Sequence, residues 1–317
     1  METQTSAQPT TLGNQTKTKR NSLIELYRFL FAMWVVYYHG FFFTKSGIFS
    51  HGYLAVEFFF ILSGFYLLKG IDKSDKTPFA KNFFGFMWKR LKSLGMAFVV
   101  GFLFSAIDFA LNPSWYILGI FGYLWYIPMM FVAIALIYIL RKFVKSNIWF
   151  VAILICLTIL SYSLLYTVLE GWGLFRAIGG ISLGVLLSML PKLKLKIKGF
   201  NLNSLISLAI FATTIYLAYL PKANLNIDYI MIFACFPSLL YFSSQTAELN
   251  NPAFNFLGSL SFGLYAYQCP LALLEYFGLV TDMKYLFLIL ISMVLLDAII
   301  TKTVRYIRQK QQMKKQG

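Results

Sequence analysis

LIELYRFLFAMWVVYYHGFFF, residues 23–43, is long enough to cross a hydrocarbon core as one helix, yet it carries Glu25, Arg28 and His39. At 100° per residue, the eleven positions from Arg28 to His39 return to within about 20° of the same direction, and the rise separates them by about 16 Å. Glu25, three residues before Arg28, falls near the same stripe. An ionisable group at the bilayer centre costs about 2.5–3.5 kcal/mol on insertion scales, so polar residues sharing one face imply a protein-lined or watery cavity. Function is to be sought in that cavity.

The rest of the chain has the same character. Of its 317 residues 59% are hydrophobic and 13% charged, with a mean hydropathy of +0.68, which excludes an ordinary soluble domain. The apolar runs are about twenty residues long and do not alternate as barrel strands do, so the fold class expected is an all-α integral membrane protein. Ten spans are predicted, at 23–43, 50–68, 93–111, 115–140, 147–168, 172–190, 202–220, 227–243, 254–278 and 285–305. Residues 1–20 are polar and expected to be disordered, residues 21–306 form the membrane domain, and 307–317 are a basic tail.

Lys and Arg concentrate before the first span, at 69–92, 141–146 and 191–200 and in the tail, while the opposite loops carry only Lys45, Lys222 and Lys284. By the positive-inside rule both termini are cytoplasmic, and the net charge of +16 reflects topology, with no nucleic-acid partner implied. Segment 78–92, PFAKNFFGFMWKRLK, mixes aromatic and basic residues and is expected to lie along the inner surface before the third span. The alternating Lys192, Lys194, Lys196 and Lys198 suit a short extended loop. Cys156, Cys235 and Cys269 fit neither a disulfide framework nor a metal site.

GYLAVEFFFILSGF, residues 52–65, places Glu57 at roughly the depth of His39 on the next helix, making them the best catalytic pair: a carboxylate within reach would orient the imidazole and raise its basicity. In the ninth span Ser261, Tyr265, Gln268 and Glu275 form one polar stripe, expected to face the stripe of the first helix. The plain alternatives are an i, i+3 ion pair for Glu25 and Arg28, snorkelling for Asp108, Arg176 and Asp228, interfacial anchoring for Trp115, Trp125 and Trp172, and close helix packing at Gly179, Gly180 and Gly184.

These pieces resemble the membrane-bound acyltransferase 3 family, whose members O-acylate bacterial surface glycans and related acceptors. The first helix, SLIELYRFLFAMWVVYYHG, is similar to the family's opening in Glu25, Arg28 and His39. The second resembles its acidic-Phe-Phe stretch ending in Ser-Gly-Phe, through Glu57, Phe58, Phe59, Ser63, Gly64 and Phe65. FFGFMWKRL is similar to its cytoplasmic element, with Arg90 at the matching position, and YLWYIP around Trp125 and LSFGLYAYQCP around Tyr265 match more loosely.

The resemblance implies a multi-pass enzyme of the bacterial plasma membrane. It would move an acyl group, acetyl first, from cytosolic acyl-CoA to a hydroxyl of a surface or lipid-linked glycan. Acyl-CoA would be a co-substrate, with no permanently bound cofactor. Arg28, Lys89 and Arg90 would hold the donor phosphates, His39 oriented by Glu57 would be the general base, and Gln268, Tyr265 and Trp125 would meet substrate. Many relatives have a histidine where this chain has Gln268, which cannot act as a base near neutral pH. A transporter or flippase for a lipid-linked sugar or small polar substrate is the alternative, and a scaffold without chemistry a third.

Overall fold

The computed structural model describes residues 21–41, 51–72, 79–111, 121–122, 124–167, 173–193, 195–197, 200–220, 225–246, 250–279 and 283–314. Trp115, Trp172, Lys45, Lys222, the two terminal segments outside this range and the Glu275 side chain lie outside the described residues. Where the residues are described, the expected spans coincide with helical segments. Seven stretches are long and apolar enough to cross a membrane: Gly52–Ile71, Lys81–Leu111, Tyr126–Phe143, Asn147–Thr167, Leu202–Tyr219, Asn226–Ser244 and Lys284–Gln311. The protein is a helical membrane protein.

The chain opens with α1 (Ser22–Val36), which widens into a π-turn over Tyr37–Phe41, the segment that holds His39. Insertions of this kind are frequent at functional sites. Asn21 caps α1, accepting from the Leu23 and Ile24 amides, while its own Nδ2 donates to the Ser243 carbonyl at 2.7 Å. A 3-10 turn at Gly52–Leu54 leads into α2 (Ala55–Phe65) and then α3 (Leu67–Asp72).

Helix α4 (Phe79–Leu111) is two helices joined at Gly95, whose φ of 71° breaks the helical path. The stretch before the break is the aromatic and basic segment expected on the inner surface, and it exposes Phe84 and Trp88. Next come α5 (Tyr126–Phe143), α6 (Asn147–Thr167) and α7 (Gly173–Met189). Of the lysine-alternating run, Lys194 and Lys198 lie outside the described residues, and β1 (Lys196–Ile197) pairs antiparallel with β2 (Phe200–Asn201). Then follow α8 (Leu202–Tyr219), α9 (Leu225–Ile230), a second π-turn at Met231–Cys235, and α10 (Phe236–Ser244).

The ninth span is broken: α11 (Pro252–Ala266) stops at Tyr267 and α12 (Gln268–Tyr276) begins anew. Pro270 explains the break, because it lacks an amide proton and its ring collides with the carbonyl four residues back, that of Ala266. Gly101 of α4 approaches that carbonyl so closely that a Cβ there would stand 2.8 Å from it. The final helix is α13 (Met283–Lys314).

Two cores meet along α1. Leu23, Ile24, Tyr27, Phe31 and Trp34 pack towards α2, α5, α7 and α10, while Ala32 and Val36 pack towards α4, α11, α12 and α13. Glycines set how near the helices come. A Cβ on Gly64 of α2 would stand 2.1 Å from the Ile181 carbonyl oxygen of α7, and one on Gly184 of α7 would stand 1.9 Å from the Ile61 oxygen of α2. The close-packing reading of Gly180 and Gly184 is met by this contact. Gly258 of α11 does the same for α1, receiving Glu25 against its backbone.

Candidate active site

A cavity of about 830 Å³ lies in the seam between the two cores, walled by α1, α2, α5, α11 and the first half of α4. Its size suits a small-molecule site. Hydrogen bonds from Asn21 to Ser243 and from Ser22 to Asn255 tie together the ends of α1, α10 and α11 at its mouth. There the lining gathers Arg28, Lys69, Arg90 and Lys192 against one carboxylate, Glu25. We call this the basic end.

Arg28 Nη1 donates to both Glu25 oxygens, at 3.1 and 2.9 Å, so the local ion pair does form. It forms on the cavity wall, and Arg28 keeps 31% of its side chain exposed, which leaves the guanidinium able to meet a ligand. The Arg90 guanidinium stacks 4.8 Å from the Phe86 ring centroid and has no carboxylate partner among the described residues. A stacked, unneutralised guanidinium suits a phosphate. Lys89, its neighbour, is exposed and is not among the lining residues.

Upwards the wall runs through Ala32 and Val35 of α1, Val56 and Phe59 of α2, Tyr126 of α5 and Tyr265 of α11. His39 lies four residues beyond Val35, about 6 Å of helical rise. Its Nδ1 stands 2.6 Å from Gln268 Oε1. Gln268 Nε2 in turn donates to the Leu264 carbonyl at 3.2 Å, which assigns the amide so that its oxygen faces the ring. With the amide in this orientation, Nδ1 donates to Oε1 and the second ring nitrogen, Nε2, is the unprotonated one. The break before Pro270 is what turns Gln268 to this position. The polar stripe of the ninth span thus faces that of the first: Ser261 and Tyr265 line the cavity with Arg28, and Gln268 meets His39.

Glu57 is not the partner of His39. Its carboxylate is fully buried, receives Arg176 Nε at 2.6 Å on Oε1 and receives the Tyr162 hydroxyl at 2.7 Å on Oε2. The shared depth of His39 and Glu57 did not bring them together, because Glu57 points to α6 and α7 and His39 to α12. The glycine contact between α2 and α7 makes this possible, since a Cβ at Gly180 would crowd Phe60 and approach Glu57.

Arg176 and Asp228 do not snorkel. Arg176 Nη2 also donates to the Tyr53 carbonyl at 2.7 Å, and its guanidinium lies between the Tyr53 and Trp125 rings, 5.8 and 5.6 Å from their centroids. Asp228 is buried, bonded to His51 Nδ1 at 2.8 Å and to the hydroxyls of Tyr53 and Tyr166. Carboxylates with this many donors need no route to water. Trp125 therefore sits on Arg176, not on the cavity, and its neighbour Tyr126 lines the wall, hydrogen-bonded to Ser63 at 3.3 Å.

A family model described as an acyltransferase domain matches residues 21–301. The chain belongs to the acyltransferase 3 family. No curated protein and no solved structure matches it significantly. This membrane acyltransferase is thus an acyl-transferring enzyme, and the transporter and scaffold readings lose their footing.

Sequence reasoning about the acyltransferase missed several residues. Lys69 and Lys192 join the basic end, and Tyr126 and Ser63 line the wall. Tyr162, Tyr166 and His51 complete the buried network. Ser63 lies in the family-like SGF stretch, Tyr126 in YLWYIP and Lys192 in the alternating lysines, but nothing local marked any of them for the site. The tyrosines stand among other aromatics in apolar helices, where nothing local separates a hydrogen-bonded ring from a packing one.

Proposed function

We propose that this acyltransferase moves an acyl group, acetyl first, from cytosolic acyl-CoA to a hydroxyl of a surface or lipid-linked glycan across a bacterial plasma membrane. The chain then crosses ten times with both termini cytoplasmic, and the basic end of the cavity faces the cytosol. One observation carries this reading. A cavity with cations at its mouth runs along α1 to within one helical turn of a histidine whose Nε2 lone pair is set by Gln268.

The nucleotide phosphates meet Arg90 and Arg28, with Lys69 and Lys192 adding to the positive field, and the pantetheine arm extends along Ala32 and Val35. About 16 Å of helix from Arg28 to His39 is on the scale of that arm. His39 Nε2 takes the proton of the acceptor hydroxyl as its oxygen attacks the thioester carbonyl. The carbon–sulfur bond breaks, and the CoA thiolate recovers the proton from the imidazolium. Transfer is direct, without an acyl-enzyme. Gln268 acts as a positioning residue, and the Glu57–Arg176 pair holds the second helix that forms the opposite wall.

The test is ligand protection of the purified protein. Saturating CoA and acetyl-CoA should raise its unfolding temperature, and deletion of the gene should remove one ester-linked mass from the surface glycans. Unchanged unfolding with both ligands overturns the donor assignment, and unchanged glycans overturn the acceptor class.

A further inference from the structure

The half of α4 before Gly95 has two faces. At 100° per residue Lys81, Phe84, Trp88, Lys89 and Lys92 fall within an arc of about 140°, while Phe83, Phe86, Met87, Arg90 and Leu94 take the opposite side. The structure keeps that division. Phe83 and Phe86 pack on Tyr138, with ring centroids 5.4 and 5.2 Å away, and Arg90 and Leu94 line the cavity. Every residue of the first set is exposed, Phe84 by 69% and Trp88 by 56%. A Cβ on Gly85, in the same arc, would meet no atom within 4 Å, so nothing in the described fold lies over this face.

The chemistry of the face says what covers it. Two large rings stand among three ammonium groups, and Lys92 Nζ lies 5.1 Å from the Trp88 ring centroid, so ring and charge meet the same surroundings. From Phe79 to Leu94 the chain holds no Asp or Glu. Water would accept the lysines and reject the rings, and hydrocarbon would do the reverse. The headgroup layer accepts both, with rings at the acyl boundary and ammonium groups among phosphates. The break at Gly95, where φ is 71°, frees this half from the direction of the membrane-crossing half.

We propose that Lys81, Phe84, Trp88, Lys89 and Lys92 form a docking surface for anionic phospholipid headgroups. On the topology proposed above, these lipids belong to the cytoplasmic leaflet. A zwitterionic headgroup also offers a phosphate, but its own ammonium group repels the lysines, so the surface selects lipids of net negative charge. One Lys or Arg near an anionic leaflet favours it by about fivefold. The face turns away from the donor cavity, so this proposal stands or falls apart from the donor reading.

Brominated acyl chains quench a tryptophan they touch, so Trp88 reports which lipid lies beside it. The full chain and its Trp88→Phe variant are reconstituted in bilayers of equal parts phosphatidylcholine and phosphatidylglycerol, with bromine on one lipid or the other. The difference between the two proteins isolates Trp88 from the remaining tryptophans. The expected result is quenching by both lipids, with association about fivefold in favour of phosphatidylglycerol. That preference should fall to within about twofold of parity in about 1 M salt, where the screening length is about 3 Å, and in a variant combining Lys81→Gln, Lys89→Gln and Lys92→Gln. The salt arm uses the unaltered chain and so decides the matter even if the triple variant does not fold. Parity between the two lipids at low salt overturns the headgroup selection, as does a preference that salt leaves unchanged. A Trp88 signal that neither lipid quenches overturns the membrane seat altogether.

Discussion

His39 and Gln268, 229 residues apart, meet through Nδ1 and Oε1 at 2.6 Å, and the Leu264 carbonyl holds the amide so that its oxygen faces the imidazole. The contact sets the tautomer. A glutamine that cannot exchange protons at neutral pH serves here to keep the lone pair on Nε2, one turn above the cavity wall.

Replacing Gln268 should therefore act on turnover and not on donor binding. Gln268→Leu is expected to lower kcat by about 10–100-fold with the donor KM unchanged, and Gln268→Glu, which also accepts from Nδ1, to restore most of it. His39→Ala should cost at least about 100-fold, in line with the loss of a general base. Steady-state thiol release measures all three. A Gln268→Leu enzyme with wild-type kcat would show that the contact is packing alone.

At the basic end, one helical step separates a cavity residue from a surface one. Arg90→Ala should raise the donor KM by about 10–100-fold, the worth of a charge-assisted hydrogen bond to phosphate, while Lys89→Ala should leave it within about twofold. Equal effects at the two positions would contradict the geometry.

Glu57 is predicted to govern stability. Glu57→Ala leaves Arg176 buried without its carboxylate and should cost about 3–5 kcal/mol, whereas removing both charges together, as Glu57→Met with Arg176→Met, should recover much of that loss. Thermal unfolding of the purified variants gives the comparison. Additive losses in the double variant would mean that the pair does not act as a unit.

The α2–α7 contact makes a similar prediction. Gly184→Ala would set a methyl group 1.9 Å from the Ile61 carbonyl oxygen, which cannot move without the backbone. Destabilisation at or beyond the top of about 1–3 kcal/mol is expected, against little change for Gly85→Ala, where nothing lies near. Unfolding temperature and yield from membranes report the difference.

Much of the fold could be read from local pattern. The helices fell where apolar runs of membrane length stood, the break at Gly95 fell where the basic and aromatic segment gave way to an apolar one, and the kink before Pro270 follows from proline chemistry. The cavity was foreshadowed by the charged residues of the first helix, of which Glu25 and Arg28 line it. The partners were not: His39 and Glu57 have matching depths, but depth fixes only one coordinate, and rotation about each helix axis fixes the rest.

By itself the sequence determined a helical membrane protein of the acyltransferase 3 family and the apolar stretches its helices occupy. Hydrophobic length and helical period are local properties, so they survive without a structure. Only the tertiary structure decided that Gln268 serves His39 and that Arg176 and Tyr162 hold Glu57. Those choices depend on how closely Gly64, Gly184 and Gly258 let the helices approach and on the angle at which each side chain then meets its neighbour.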